Sequence, residues 1–126
     1  GASLALTYQS DRQREAVEAL GQELSAAHVI ACDVSQDHEL AHLAERLAAG
    51  PGRIDAVVHS IAFANREDLT RSFVETSRSG FGLAQEVSAY SLVAIARTVA
   101  TRSSASWRSS CGVRRLIAGL SGASDE

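Results

Sequence analysis

Apolar and polar positions along residues 1–100 fall into blocks whose period switches between that of strands and that of helices. Ser3-Leu4-Ala5-Leu6-Thr7-Tyr8 predicts a short buried strand. Ser10 then starts a helix, and Gln13 three residues on completes a capping box. Ala16, Val17, Leu20 and Leu24 follow at helical spacing, with Gly21 interrupting the pattern at modest cost. Val29-Ile30-Ala31-Cys32 predicts a second strand, ending at Asp33-Val34. Ser35 is placed to cap the next helix, which carries Leu40, Leu43, Ala44 and Leu47 and stops at Gly50-Pro51-Gly52. Ile54 to His59 is an almost continuous apolar run, the pattern of a third strand. A long helix over about 77–100 aligns Phe81, Ala84, Val87, Ser91, Ala94, Ile95 and Thr98 on one face.

The order is β-α-β-α-β-α with short connections. Such alternation predicts parallel strands joined by helical crossovers, a doubly wound α/β sheet. Sheets of this kind bind ligands beyond the carboxyl ends of their strands. Those ends are Tyr8-Gln9, Asp33-Val34 and Ser60 to Ala64.

Past about Thr98 the character changes. The segment to Glu126 is rich in Ser and Arg, as a GC-rich gene read out of frame would be, and shows no clear period. It is expected to be a loose tail, with Leu116 to Leu120 as a short docked piece. The chain therefore divides into a partial dinucleotide-binding domain over 1–100 and an atypical tail over 101–126.

Bulk properties narrow the function classes. One core fits in 126 residues, 45% of them apolar. A formal net charge of −3 carries no footprint for nucleic acid. No apolar run approaches the ~20 residues that span a bilayer, and no secretory leader opens the chain, so a cytoplasmic protein is expected. Cys32 and Cys111 lie too far apart for a metal or disulfide pattern. All 12 basic residues are arginine, which leaves no lysine for any mechanism that needs one.

His38-Glu39-Leu40-Ala41-His42 matches the H-E-x-x-H pattern of zinc peptidases. At ~100° per residue, both histidines fall about 160–200° from the apolar face set by Leu40, Leu43 and Leu47. A third protein ligand is also wanting. A solvated histidine pair is the better reading, and no metal is expected.

The strand ends carry polar groups suited to a nucleotide. In dinucleotide folds an acidic residue after the second strand accepts from the adenosine ribose, and the Gln9 amide can take that place because it both accepts and donates. Asp33 can accept from an adenine amino group, and the Val34 N–H can reach a ring nitrogen. A surface glutamine and a helix-capping aspartate are the plain alternatives. In Val57-Val58-His59-Ser60-Ile61-Ala62-Phe63-Ala64 the strand ends without glycine, against the usual turn chemistry. Ser60 to Ala64 lie where a nicotinamide ribose and pyrophosphate would cross. Small residues there let the ligand approach the backbone, and Ile61 can pack on a ring; a buried turn is the alternative. His59 reads as a satisfied core histidine.

These residues resemble a known family. "LALTYQSDRQ", "CDVSQD", "DAVVHSIAFANREDL" and "FGLAQEVSAYSLVAIAR" are similar to segments of the bacterial NADH-dependent enoyl-acyl-carrier-protein reductases, a divergent branch of the short-chain dehydrogenases. H-S-I-A-F-A is particular to that branch, where ordinary members end the strand in Asn-Asn-Ala-Gly; this weighs against a ketoacyl reductase. The resemblance implies an incomplete Rossmann-type doubly wound parallel sheet, its first strand and later strands missing from this chain. It implies hydride transfer from NADH to a trans-2-enoyl thioester on acyl carrier protein, with NADPH left open by Arg12 and Arg14. It places Gln9 at the adenosine ribose, Asp33 and Val34 at adenine, Ser60, Ile61 and Ala62 along the nicotinamide end, and Ala64 at the substrate. It also implies a homotetramer packed through the helix ending near Ala100. The family's catalytic tyrosine and lysine have no counterpart after residue 100, so the chain alone is expected to be inactive. A non-catalytic nucleotide-binding or subunit-interaction fragment is the alternative.

Overall fold

Four strands make one parallel sheet in a computed structural model that describes residues 2–50 and 54–100, and the backbone of residues 115–120. Strand β1 (Ser3–Tyr8) has the predicted bounds, and its last four residues are all buried. They serve two cores, one on each face of the sheet. Leu6 and Tyr8 pack with Val17 of α1 (Asp11–Glu23), while Ala5 joins Leu40, Leu43 and Leu47 of α2 (Asp37–Ala49) and Ala94, Ile95 and Val99 of α5 (Ser91–Ala100). A strand covered on both faces reads as a continuous apolar run, as this one does.

Helix α1 starts as its residues dictate. The Ser10 backbone N–H donates to Gln13 Oε1 at 2.9 Å, part of a capping box. At its other end the Ala26 N–H donates to the Gly21 carbonyl and the Ser25 N–H to that of Gln22, a Schellman closure with Ser25 at φ 52. Gly21 has a role beyond tolerating the helix. A Cβ there would sit 2.6 Å from Val29 Cγ2, so glycine lets α1 approach strand β2 (His28–Ala31) closely.

Helix α2 departs from expectation at its start. Gln36, not Ser35, is the cap residue. Ser35 is drawn back instead, its N–H and hydroxyl both donating to Asp33 Oδ1 at 2.9 and 2.7 Å. Asparagine and aspartate favour this local turn over a helix start. Strand β3 (Ala56–Ser60) begins two residues later and ends one later than the apolar run alone indicates. Beyond it, α3 (Arg66–Thr70) and a 3-10 turn (Phe73–Glu75) were not expected. Asp68 of α3 docks on the start of α4 (Arg78–Gln85), accepting the Ser77 N–H at 3.3 Å.

The long helix is real but not uniform. A π turn over Glu86–Tyr90 lies between α4 and α5, widening the helix at mid-length. Val87, Ser91, Ala94 and Ile95 of the expected face are buried, whereas Phe81 is exposed.

The largest correction concerns the tail. Residues Arg115–Leu120 form β4, hydrogen-bonded to β1 on one side and β3 on the other, giving the order β2-β1-β4-β3. Ala5 and Val57 both pair with Ile117. The expected docked piece of a loose segment is a central strand. Cys111 lies outside the described residues.

Candidate functional site

The carboxyl ends of β1, β2 and β3 surround a narrow cleft lined by Thr7, Gln9, Cys32, Val34, Ile61, Phe63 and Val87. Three residues singled out from the sequence therefore meet here: Gln9, Val34 and Ile61. Asp33 joins them through its side chain, with Gln9 Nε2 donating to Asp33 Oδ2 at 3.4 Å. The carboxylate is otherwise occupied by Ser35, and the Asp33 N–H is taken by Glu39 Oε2. One oxygen of Asp33 is thus anchored in a turn while the other turns toward Gln9. Ser60, which ends β3, and Ala62 and Ala64 beyond it do not line the cleft; Ser60 and Ala62 are exposed and Ala64 half-buried.

Thr7, Cys32 and Phe63 went unrecognised in the sequence, though a signal existed. Each stands two residues from a recognised neighbour, Gln9, Val34 or Ile61, and side chains two apart in extended chain share a face. Cys32 is 3% exposed, and burial, with Glu39 and Asp33 adding their charges, pushes its thiol up to about 12. At ordinary pH it is a neutral, small apolar wall.

The floor beside the cleft is held by the π turn. Phe63 N–H donates to Ser88 Oγ at 3.0 Å, and Ser88 Oγ donates to the Phe63 carbonyl at 3.2 Å. Ser91 Oγ donates to the Val87 carbonyl at 2.6 Å, which uses its single proton. His59 Nε2 is then the donor in its 2.7 Å bond to Ser91 Oγ. His59 is a satisfied histidine tying β3 to the helix.

On α2, His38 and His42 are both exposed, and Glu39 is engaged by Asp33. Among the described residues no group of three or more His, Cys, Asp or Glu stands close enough to hold a metal ion. Nor, among them, is any helix long and apolar enough to cross a membrane.

Known proteins share this arrangement. A family model described as enoyl-(acyl carrier protein) reductase matches residues 1–112. The enoyl-[acyl-carrier-protein] reductase [NADPH] FabI of Staphylococcus aureus is 47% identical over 98 residues, covering 76% of this chain and 38% of the relative. The NADH enzyme of Bacillus cereus is 46% identical over 99 residues, with 77% and 39% covered. Among solved structures, the NADH enzyme of Aquifex aeolicus superposes with a TM-score of 0.78 at 35% identity, covering 81% of this chain and 40% of the other. The Bacillus cereus enzyme with NADP+ and an indole naphthyridinone gives 0.76 at 44% identity, with the same coverage. The chain spans about two fifths of the length of these relatives. Their shared sequence and strand arrangement make this chain a member of the enoyl-acyl-carrier-protein reductase family.

Proposed function

We propose that the chain supplies the cofactor-facing part of an NADH-dependent enoyl-acyl-carrier-protein reductase of fatty acid synthesis, a cytoplasmic oxidoreductase. The observation that carries this is the convergence of Gln9, Val34 and Ile61 on one cleft, with Asp33 bonded to Gln9 at its rim. The residues fit half a dinucleotide. Val34 and Ile61 offer apolar faces to a purine or pyridine ring, Gln9 can bind ribose hydroxyls, and Asp33 can accept from an amino group. Ser60 and Ala62 would follow the pyrophosphate and nicotinamide ribose, and Ala64 would border the enoyl thioester through its backbone. The cofactor would supply hydride; the chain's own part is to hold and orient it.

Of the two arginines that left NADPH open, Arg14 is already engaged. Its guanidinium donates to the Tyr8 hydroxyl at 3.0 Å and pairs with Asp11 at 2.7 Å, which raises its pKa and engages it away from a 2′-phosphate. The relatives include both cofactor types, so the preference is a property to be measured on this chain.

Catalysis needs more than the cleft. The chain has two tyrosines and no lysine. Tyr8 is buried on the α1 side of the sheet and bonded to Arg14, and Tyr90 lies half-exposed on the π turn. Neither lines the cleft. The division of the chain at residue 100 is one of composition, and β4 lies on its far side. NADH added to the isotope-labelled chain should shift the amide signals of Gln9, Val34 and Ile61, with a Kd on the order of 1 mM. Enoyl-thioester reduction should be undetectable. Unmoved signals at those three positions would refute the cleft assignment, and measurable turnover would refute the inactivity of the chain.

A second reading concerns assembly. Phe81, Tyr90, Leu92 and Val93 are each roughly half exposed along α4, the π turn and α5. Exposed apolar side chains along the long helix support self-association through it, as the tetramer implied by the family resemblance requires. Light scattering should return a mass above that of one chain; a monomer at every concentration would dismiss it.

A further inference from the structure

We propose that Ser88 is the positioning residue of the cleft: by bonding both backbone polar groups of Phe63, it holds the 61–64 wall at the height a ring ligand requires. This rests on the cofactor reading above and goes beyond it, since Ser88 itself does not line the cleft.

Residues 61–65 lie between the end of β3 and the start of α3, without helix or strand of their own. Ladder bonds therefore do not fix the wall, although Ile61 and Phe63 both face the cleft. Ser88 supplies the missing anchor. Its hydroxyl accepts the Phe63 N–H at 3.0 Å and donates to the Phe63 carbonyl at 3.2 Å, so one side chain satisfies donor and acceptor of a single residue. A hydroxyl is the smallest group able to do both at once.

Both contacts come from the π turn over Glu86–Tyr90, with Val87 entering the cleft and Ser88 meeting the Phe63 backbone. Ser91, at the end of that turn, fixes the strand below through His59. The wall is thereby held at two heights, His59 and Phe63, by one distorted stretch of helix. Helices commonly widen in this way beside functional sites.

Hydrogen exchange and NADH binding on the intact chain separate this idea from the cofactor reading. In the wild-type chain the Phe63 amide should exchange at least tenfold more slowly than the exposed amides of Arg66 and Glu67 at the start of α3. Ser88→Ala should speed Phe63 exchange about tenfold, leave the melting temperature nearly unchanged, and weaken NADH binding about tenfold. Ser88→Thr, which keeps the hydroxyl, should restore both. A Phe63 amide that is unprotected in the wild type overturns the proposal without any variant. So does exchange at Phe63 that Ser88→Ala leaves unaltered, or NADH affinity unchanged while exchange accelerates. If the wild type shows no NADH shifts at Gln9, Val34 and Ile61, the cofactor reading falls, and with it the positioning role, even where Phe63 is protected.

Discussion

A chain ending after residue 114 will lose cooperative folding altogether. Among the described residues β4 alone joins β1 to β3: six register pairs link it to β1 and five to β3. Without it those strands would stand about 10 Å apart, two strand spacings, with facing rows of unbonded N–H and C=O groups. The two helical layers would then have no continuous sheet to cover. Ile117→Pro is the milder form of the same test, because proline cannot donate to the ladder and is not tolerated in a central strand. It should cost at least about 3 kcal/mol, a large share of the ~5–15 kcal/mol that holds most domains together. Circular dichroism with heating reads both variants. A truncated chain that melts at the wild-type midpoint would show that β4 does not contribute to the sheet.

The second large effect belongs to Leu43. Its side chain is 1% exposed in the core between sheet, α2 and α5, among Ala5, Ile30, Leu40, Leu47, Ile95 and Val99. Leu43→Ala removes buried surface and leaves a void that strand and helix backbones cannot close. The expected loss is about 2–5 kcal/mol. Denaturant titration should show a lower midpoint with an unchanged slope, since the unfolded surface is the same. A loss below about 1 kcal/mol would mean that this core collapses around the vacancy, or is less tightly packed than its burial indicates.

Much of this architecture was legible in the residues, for identifiable reasons. Ser3–Tyr8 announced itself because a strand buried on both faces is apolar at nearly every position. Leu40, Leu43 and Leu47 mark the inner face of α2, and the same periodicity puts His38 and His42 outside. Arg115–Leu120 gave no comparable warning. Six residues in a Ser- and Arg-rich context offer too short a run to separate a strand from a docked coil. Its position, between two strands far upstream, is a long-range fact that no local pattern carries. The π turn is hidden for a related reason, since a fixed 100° step cannot reveal where one extra residue enters a helix.

The site was legible by position more than by contact. Strand ends in an alternating β/α chain point to a ligand cleft, and Gln9, Val34 and Ile61 were found that way. The Gln9–Asp33 bond and the Ser88–Phe63 clamp were not, because they join residues 24 and 25 apart in the sequence. Ser35 shows the converse error. Its type suits a helix cap, but Asp33, two residues earlier, competes for the same hydroxyl and wins.

The placement of β4 also sets an order of events in folding. β1 and β3 both precede the strand that lies between them, so neither can complete its pairing until residues 115–120 have emerged. Contacts this distant in sequence form slowly. For that interval two half-built parallel edges face each other unfilled, and any extended segment, including one from a neighbouring copy, competes with residues 115–120 for the gap. Refolding should therefore be slow for the chain's size, and its yield should fall as concentration rises.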